Sequence, residues 1–474
     1  MFTKKHYCII ITVSLAVFIT NLDMSIVNIA LPTLAKDFNV DTGVVSRILI
    51  TYLLAYCGLL LPFGSLSDIK GTVKIFKLGL VVFTVSSLLC GISSNINMLI
   101  IFRFIQGIGG SMLLSTFGSI IIQYLPPEGM GRVFGLMSIF GGGSIAIGAP
   151  LGGFIIRYLP WHWLFFINIP IGIIALILAS LNLDSKEKPA KEQTFDLKGS
   201  ILSFSGLILF LYALNSGGER GWTSPFIIGS FMLAFIFLIC FVIIEKNHKN
   251  PLLDINLFRN IYFSLGLLAN LIACIILDGS NFIFPFYFEL VRGFTSDKAG
   301  LLLMLFPILI VFVGPVAGFL SDRIDPRIMS TGGMVFIMIA SFFILSFNSL
   351  TSLSFIIISF LIMGAGFALF FTTNPVVVLS HAPENREGIV NAINSFDIYL
   401  GSTLGICIFE LIFSMSFSGN ITNTGSVDGQ NILRGLHNVF IFVSIISLTG
   451  VIASVIAKKA VMKKTVHRSS GRLL

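Results

Sequence analysis

Charge is what this chain lacks. Of 474 residues, 30 are Lys or Arg and 22 are Asp or Glu, so 11% are charged against roughly 25% in ordinary soluble domains. A soluble domain of about 100 to 200 residues could not be covered by so few charges, and none is left for an appended soluble enzyme. Cysteine is also scarce: Cys8, Cys57, Cys90, Cys240, Cys274 and Cys407 lie singly in apolar segments, with no C-x-x-C and no histidine at ligand spacing. They read as small core residues, neither a disulfide framework nor a metal site. No G-x-x-x-x-G-K-[ST] string occurs, so ATP-driven work by this chain is unsupported, and no nucleophile constellation or cofactor motif suggests an enzyme.

Apolar residues fill the space that charge leaves, at 55% of the chain and a mean hydropathy of +0.96. A bilayer core of about 30 Å needs about 20 helical residues. Runs near that length at 7–31, 43–65, 75–93, 98–125, 132–159, 163–183, 197–215, 226–244, 261–289, 298–320, 328–347, 353–380, 388–415 and 435–457 predict an all-α integral membrane protein of fourteen spans. The amino terminus, MFTKKHYCIIITVSLAVFIT, has the basic start and apolar core of a signal peptide. No small-residue cleavage site follows, and the run is long enough to span, so it reads as an uncleaved first helix. An even number of spans puts both termini on one side. About 22 of the 30 Lys and Arg fall on the side of Lys4, Lys5 and the tail KKAVMKKTVHRSSGR, and about seven on the other. Both termini are therefore expected in the cytoplasm, with the chain in the cell (plasma) membrane. The net charge of +8 reads as topology control in short loops, not as a nucleic-acid surface.

Two stretches recur. PFGSLSDIKGTVK at the end of the second span is echoed by VAGFLSDRIDPRI at the end of the tenth, so that Gly64, Leu66 and Asp68 correspond to Gly318, Leu320 and Asp322. Farther on, Gly107, Gly109, Pro126 and Gly131 correspond to Gly364, Gly366, Pro383 and Gly388, at an offset that differs by three residues. The chain thus divides into a six-helix bundle over 1–183, two inserted helices with flanking loops over 184–260, and a second six-helix bundle with a basic tail over 261–474. Two parallel-related halves around a central site are the design of a rocking-bundle secondary transporter. In the first echo, Gly64 and Gly71 would let the short turn pass close to neighbouring backbone, and Asp68 has Lys70, Lys74 and Lys77 nearby. A carboxylate there can bind an arginine or a helix amino terminus in one conformation and release it in another, as a gating latch; the alternative is a solvated charged turn.

This loop resembles that of the major facilitator superfamily, G-x-L-x-D-R-x-G-R-R-x. Gly64, Leu66, Asp68, Gly71 and Lys74 fit, Ile69, Thr72 and Val73 depart, and Asp322, Arg323 and Arg327 supply the cationic part in the second half. LDMSIVNIALP resembles the first-helix signature of the fourteen-helix drug:proton antiporter subfamily, of the multidrug efflux type. WHWLFFINIPIG is similar to its W-R-W-I-F-x-I-N-x-P-I-G, with His162 where arginine is usual, and LIIFRFIQGIGGS to its fourth-helix pattern on Arg103, Gln106 and Gly107. GGGSIAIGAPLGGFI is similar to the antiporter pattern G-P-x-x-G-G, with the proline displaced by one to Pro150. The resemblance covers nearly the whole chain and implies the major facilitator fold, exchange against protons and export. Gly141, Gly148 and Gly152 share a helix face, so that together with Pro150 and Gly153 they are expected to pack helices closely.

NLDMSIVNIALP also places Asp23 inside a span. The first span runs outward, which puts Asp23 about 12 Å below its outer end at about 1.5 Å per residue, and Arg103 about 8 Å below the same surface on the fourth. The two can pair. Such a pair is either a static tie between helices or a proton-coupling device in which the arginine holds the carboxylate ionised in one state only. Asp278 in the ninth span is a second candidate, for the proton or as counter-charge to a cationic substrate. Asp397, on a face with Gly401 and Gly405, is a third. Asn28, Gln106, Asn168 and Glu410 are the expected polar lining of a substrate cavity, with Glu410 near enough to the outer end to reach water; Glu289 and Arg292 belong to the outer interface. The expected partners are a small molecule, protons and the lipid bilayer, with no nucleic acid, and the chain is expected to be a monomer.

Forty-seven phenylalanines do not decide the substrate. Isolated carboxylates among few fixed donors suit lipophilic cations, which need apolar contact and negative charge more than geometry. Three functions stay open: proton-coupled efflux of amphipathic drugs or dyes, dedicated transport of a metabolite, siderophore or lipid, and a non-transporting membrane scaffold or receptor. Buried charges and paired loops argue against the last.

Overall fold

The computed structural model describes residues 3–126, 130–184, 196–247, 252–321, 323–381, 387–416 and 429–457, and among them there is no strand. Among the described residues thirteen helices are long and apolar enough to cross a bilayer, or fourteen if the bent pair Thr42–Gly58 and Leu60–Lys70 is one span. They are α1 (Lys4–Asn28), α2 (the bent pair), α3 (Thr72–Gly91), α4 (Ile96–Tyr124), α5 (Met130–Tyr158), α6 (Trp163–Asn182), α7 (Leu197–Arg220), α8 (Pro225–Asn247), α9 (Ile261–Val291), α10 (Ser296–Ser321), α11 (Pro326–Ile344), α12 (Leu353–Leu379), α13 (Glu387–Ser414) and α14 (Gly429–Ile456). Each apolar run of the sequence holds one of them. Below, the near face is the one at which α1 starts and the far face the one at which it ends.

In four of the apolar runs a helix stops four residues before a proline. α1 stops at Asn28, the first segment of α2 at Gly58, the opening turn of α6 at Phe166 and that of α10 at Leu303. Each of these residues lies four before a proline, namely Pro32, Pro62, Pro170 and Pro307. Proline has no N–H to return to the carbonyl four residues back, and its ring crowds that carbonyl. The run 7–31 therefore ends as a helix at Asn28, and a short helix, Leu31–Asp37, restarts with Pro32 in its first turn. In α2 the same break bends the span by 43°.

α1 rests on α5, α6 and α4, while α4 is held by α2 and α3. In the second half α12 is held by α10 and α11, and α9 by α13 and α14. The two halves pack by the same device at matching positions. Gly107 lets α4 onto the Tyr52 carbonyl of α2, and a Cβ at Gly109 would lie 2.6 Å from Phe83 N of α3. In α12, a Cβ at Gly364 would lie 3.0 Å from Leu305 O of α10, and one at Gly366 would lie 2.7 Å from Gly333 O of α11. Only residues without a side chain admit such backbone approach. The main contacts between the helices before residue 184 and those after residue 260 are α5 with α10 and α2 with α13. α7 packs on both α2 and α13, and α8 rests mainly on α7. A Cβ at Gly58, where α2 breaks, would lie 2.7 Å from the Phe204 ring of α7, and Arg47 Nε of α2 donates to Asn215 Oδ1 of α7 at 3.2 Å.

Candidate functional site

Five helices converge on Asp23 in the far half of the span. Arg103 of α4 makes an ion pair with Asp23 Oδ2 through Nη1, and both side chains have no exposed surface. Asp23 Oδ1 accepts from Gln106 Nε2 at 2.9 Å and from Asn168 Nδ2 of α6 at 2.7 Å. Gln106 Nε2 also donates to Ser87 Oγ of α3 at 2.8 Å, and its Oε1 accepts from Arg103 Nη1 at 2.7 Å. Arg103 Nε donates to Ile48 O of α2 at 3.2 Å, and its guanidinium lies 4.2 Å over the Tyr52 ring. The local sequence explains the convergence. Arg103, Gln106, Gly107 and Gly110 stand three, four and seven apart on one stripe of α4, whose glycines bring it against Tyr52 and Tyr56. Asn168 stands at the restart of α6 after the break that Pro170 causes.

A carboxylate and a guanidinium in a dry site are tolerated because each cancels the other and the spare oxygen of Asp23 is filled by amides. A proton on Asp23 would remove one charge of this pair and leave the other with no carboxylate. The arrangement can therefore hold two states of different internal tension, and it ties α1, α2, α3, α4 and α6 to whichever is present.

The acids of the second half are held differently. Asp278 Oδ2 accepts from Ser402 Oγ at 2.6 Å, and Asp397 Oδ2 accepts from Asn270 Nδ2 at 2.9 Å. Both are half-buried, and among the described residues neither is in an ion pair. Glycines set their helices close: a Cβ at Gly401 would lie 2.7 Å from Cys274 Cβ, and one at Gly405 would lie 2.5 Å from Ile275 O. Glu410 is only 3% exposed, so it does not reach water as its place near the end of α13 suggested; α13 packs against α9 and α14 there. Asn28 is buried at the end of α1. Arg292 Nη1 donates to Ser349 O at 3.0 Å, and Glu289 lies in the π-helical turn Tyr287–Val291 that ends α9.

α5 carries glycine on two faces. Gly141 approaches Asn21, Gly148 approaches Ser25 and Gly152 approaches Ile26, all on α1, and Ser25 Oγ donates to Ile145 O at 2.9 Å. Gly153, on another face, meets the Ser296 backbone of α10, where Gly300 meets Ala149 and Pro150. Arg157 and Asp297 stand 4.0 Å apart across the same seam. The far ends of α5 and α10 are thus closed on each other.

At the near face, Gly71 has φ of 101°, a value open to glycine, so the turn from α2 to α3 depends on it. Gly64 is different from expectation: a Cβ there meets nothing within 4 Å, because no neighbouring backbone reaches that side of α2. Asp68 and Lys74 are exposed, and Lys77 Nζ is turned away to Leu183 O at 2.9 Å. Arg323 lies over the Phe319 ring at 4.8 Å, while Asp322 and Pro383 lie outside the described residues. The sequence reading missed Ser87, Asn270, Ser402 and the tyrosines of α2 and α13. Asn270 had a signal, since it stands eight residues from Asp278 on one face of α9; a serine or tyrosine in an apolar run has none.

Residues 13–218 and 199–406 each match the family model described as Major Facilitator Superfamily. The chain is 28% identical to the riboflavin transporter RibZ of Clostridioides difficile over 88% of its own length and 90% of that protein. It is 30% identical to Multidrug resistance protein 3 of Bacillus subtilis, over 90% and 84% respectively. In structure it is similar to a bacterial homolog of the human lysosomal transporter Spinster in an inward-facing, unoccupied conformation, with a TM-score of 0.66 at 15% identity, covering 96% of this chain and 98% of that one.

Proposed function

The chain belongs to the Major Facilitator Superfamily and is a multi-pass membrane transporter, and from that premise we propose that it exports amphipathic, cationic drugs or dyes in exchange for protons, as a fourteen-helix drug:proton antiporter. The observation that carries this reading is the sealed Asp23–Arg103 pair, to which five helices are tied. A structural tie could be made at less penalty by a neutral amide, and an intramembrane ion pair is a functional site by default. Asp23 takes the proton when the far face is open. The proton releases Arg103, the five ties rearrange, and the halves 1–183 and 261–474 rock about the seams α5–α10 and α2–α13, with 184–260 as an insertion. Asp278 and Asp397, half-buried and without a cation, supply negative charge to the substrate. Asn28, Gln106, Asn168 and Glu410, buried in this form, come to line its path as the halves rock. The loops at Asp68 and Asp322 latch the near face, which is cytoplasmic with both termini, in the plasma membrane. The resemblance to Multidrug resistance protein 3 supports the substrate class.

The relation to a riboflavin transporter favours a second reading, dedicated transport of a planar metabolite. Purified protein in liposomes with an imposed pH gradient separates the two. Ethidium, riboflavin and fluorescein are offered in parallel, and ethidium is expected to accumulate at least about tenfold over protein-free vesicles while the others do not. Accumulation of riboflavin alone would replace the first reading by the second.

A further inference from the structure

Three tyrosines link the buried ion pair of one half to the other half. Tyr52 carries the Arg103 guanidinium on its face at 4.2 Å. One turn along α2, Tyr56 stacks on Tyr52 with ring centroids 5.5 Å apart, and Tyr56 in turn meets Tyr399 of α13 edge-on at 4.6 Å. Tyr52 and Tyr56 are almost wholly buried. The next residue, Cys57, donates through Sγ to Phe396 O of α13 at 3.8 Å, and Gly58 is where Pro62 breaks the span and α2 turns by 43°. The contact across the seam thus sits on the turn just before the hinge.

We propose that Tyr52, Tyr56 and Tyr399 form an aromatic bridge by which the charge state of the Asp23–Arg103 pair sets the contact between α2 and α13, and so the relation of the two halves. The inference rests on the reading of Asp23 as the proton carrier. An arginine that loses its carboxylate in a dry site keeps only its remaining partners. For Arg103 these are Gln106 on its own helix, Ile48 O and the Tyr52 ring at 4.2 Å on α2, and the more distant Phe165 ring of α6 at 5.8 Å. A desolvated cation on an aromatic face is held strongly, so Arg103 draws on α2 when Asp23 is neutral and shares that pull with α1 when Asp23 is charged. Arg103 Nη2 and the Tyr52 hydroxyl are both buried without a hydrogen-bond partner among the described residues. These spare groups leave a second arrangement open to the pair. Tyr399 stands two residues from Asp397 and three from Ser402, which holds Asp278, so a shift at the bridge reaches the acids of the second half.

The charged and titratable groups around the bridge come from each helix packed on it. Asp23 of α1 and Arg103 of α4 lie at the Tyr52 end, where Cys90 Sγ of α3 donates to Gln106 Oε1 at 3.8 Å. Toward Tyr399, Asp278 of α9 is held by Ser402, three residues from Tyr399, Asp397 of α13 lies two residues from it, and Cys274 of α9 faces Gly401. Of these, the Asp23–Arg103 pair is the one in contact with an aromatic face of the bridge.

The test measures the relation of the halves without a substrate. Spin labels at Lys70→Cys and Ile324→Cys, both exposed at the near face on opposite halves, report the separation in nanodiscs as pH is varied. Cys8 and Cys240, the two native cysteines that are not buried, are first replaced by serine. The separation is expected to change with pH in this background and to be flat in Asp23→Asn. Tyr52→Leu and Tyr399→Leu should each flatten the response or move its midpoint by at least about one pH unit, while Tyr52→Phe, which keeps the ring, follows the parent. Tyr399→Leu lies in the other half and stands in should Tyr52→Leu fail to fold. A flat Asp23→Asn with parental responses from the leucine variants would sink the bridge and leave the Asp23 reading standing. A parent with no response, or an Asp23→Asn variant that responds like the parent, would remove the Asp23 reading and the bridge with it.

Discussion

Arg103→Ala is expected to destabilise the folded chain by about 3–5 kcal/mol, because it leaves Asp23 charged and uncompensated where no water reaches it. Gln106 and Asn168 would still donate to Asp23 Oδ1, but an amide cannot cancel a charge. Asp23→Asn alone should cost less, since Arg103 keeps the Tyr52 and Phe165 faces, which attract a desolvated cation as the amides at Asp23 do not attract a lone carboxylate strongly enough to replace its counter-charge. The double variant should recover most of the deficit of Arg103→Ala, because removing both charges can be nearly neutral. Unfolding titrations of the three purified variants in detergent decide the matter. Equal costs for Arg103→Ala and the double variant would mean that Asp23 is not ionised in the folded chain.

Gly153→Val is expected to open the far face. A Cβ at this position would meet the Ser296 backbone, 2.8 Å from its carbonyl carbon and 3.0 Å from Asp297 Cα. A backbone cannot swing aside as a side chain can, so the added atoms push α5 off α10. Overpacking of this kind costs about 1–3 kcal/mol. It falls only on the form in which the far ends of α5 and α10 touch, so the balance should move toward the far-open form by about 5- to 150-fold. Labels at Ser94 and Leu350, exposed in far-face turns of the two halves, should then report a longer separation. Gly229→Val is the control, since a Cβ there meets nothing within 4 Å. An unchanged distance in Gly153→Val would show that this contact does not limit opening.

Much of the fold was legible because a bilayer makes hydropathy decisive: each apolar run holds a helix, and the echo of Gly107 and Gly109 in Gly364 and Gly366 reappears as matching backbone contacts. The glycines of α5 were legible as one face, by their spacing on the helix. That Gly153 points to the other half was not, since spacing fixes a direction on a helix but not the neighbour in that direction. The four helix breaks were hidden by the tolerance of membrane spans for proline: Pro150, Pro285, Pro315 and Pro375 stand inside unbroken helices, so a proline alone does not say where a span breaks. The proximity of Asp23 and Arg103 followed from depth alone. Their further partners did not, because Ile48 contributes a carbonyl, which every residue has, and Ser87 a hydroxyl no different from many others. Tertiary approach also buries Glu410, where position along α13 pointed to water.

The account turns on the proton at Asp23, and the measurement that bears on it most directly is ethidium transport by Asp23→Asn in liposomes with an imposed pH gradient and a trapped pH dye. Proton movement linked to ethidium should fall at least about tenfold against the unchanged protein, while ethidium binding at equilibrium stays within about twofold. Undiminished proton-driven transport by Asp23→Asn would contradict the account and return the buried pair to the role of a static tie between helices.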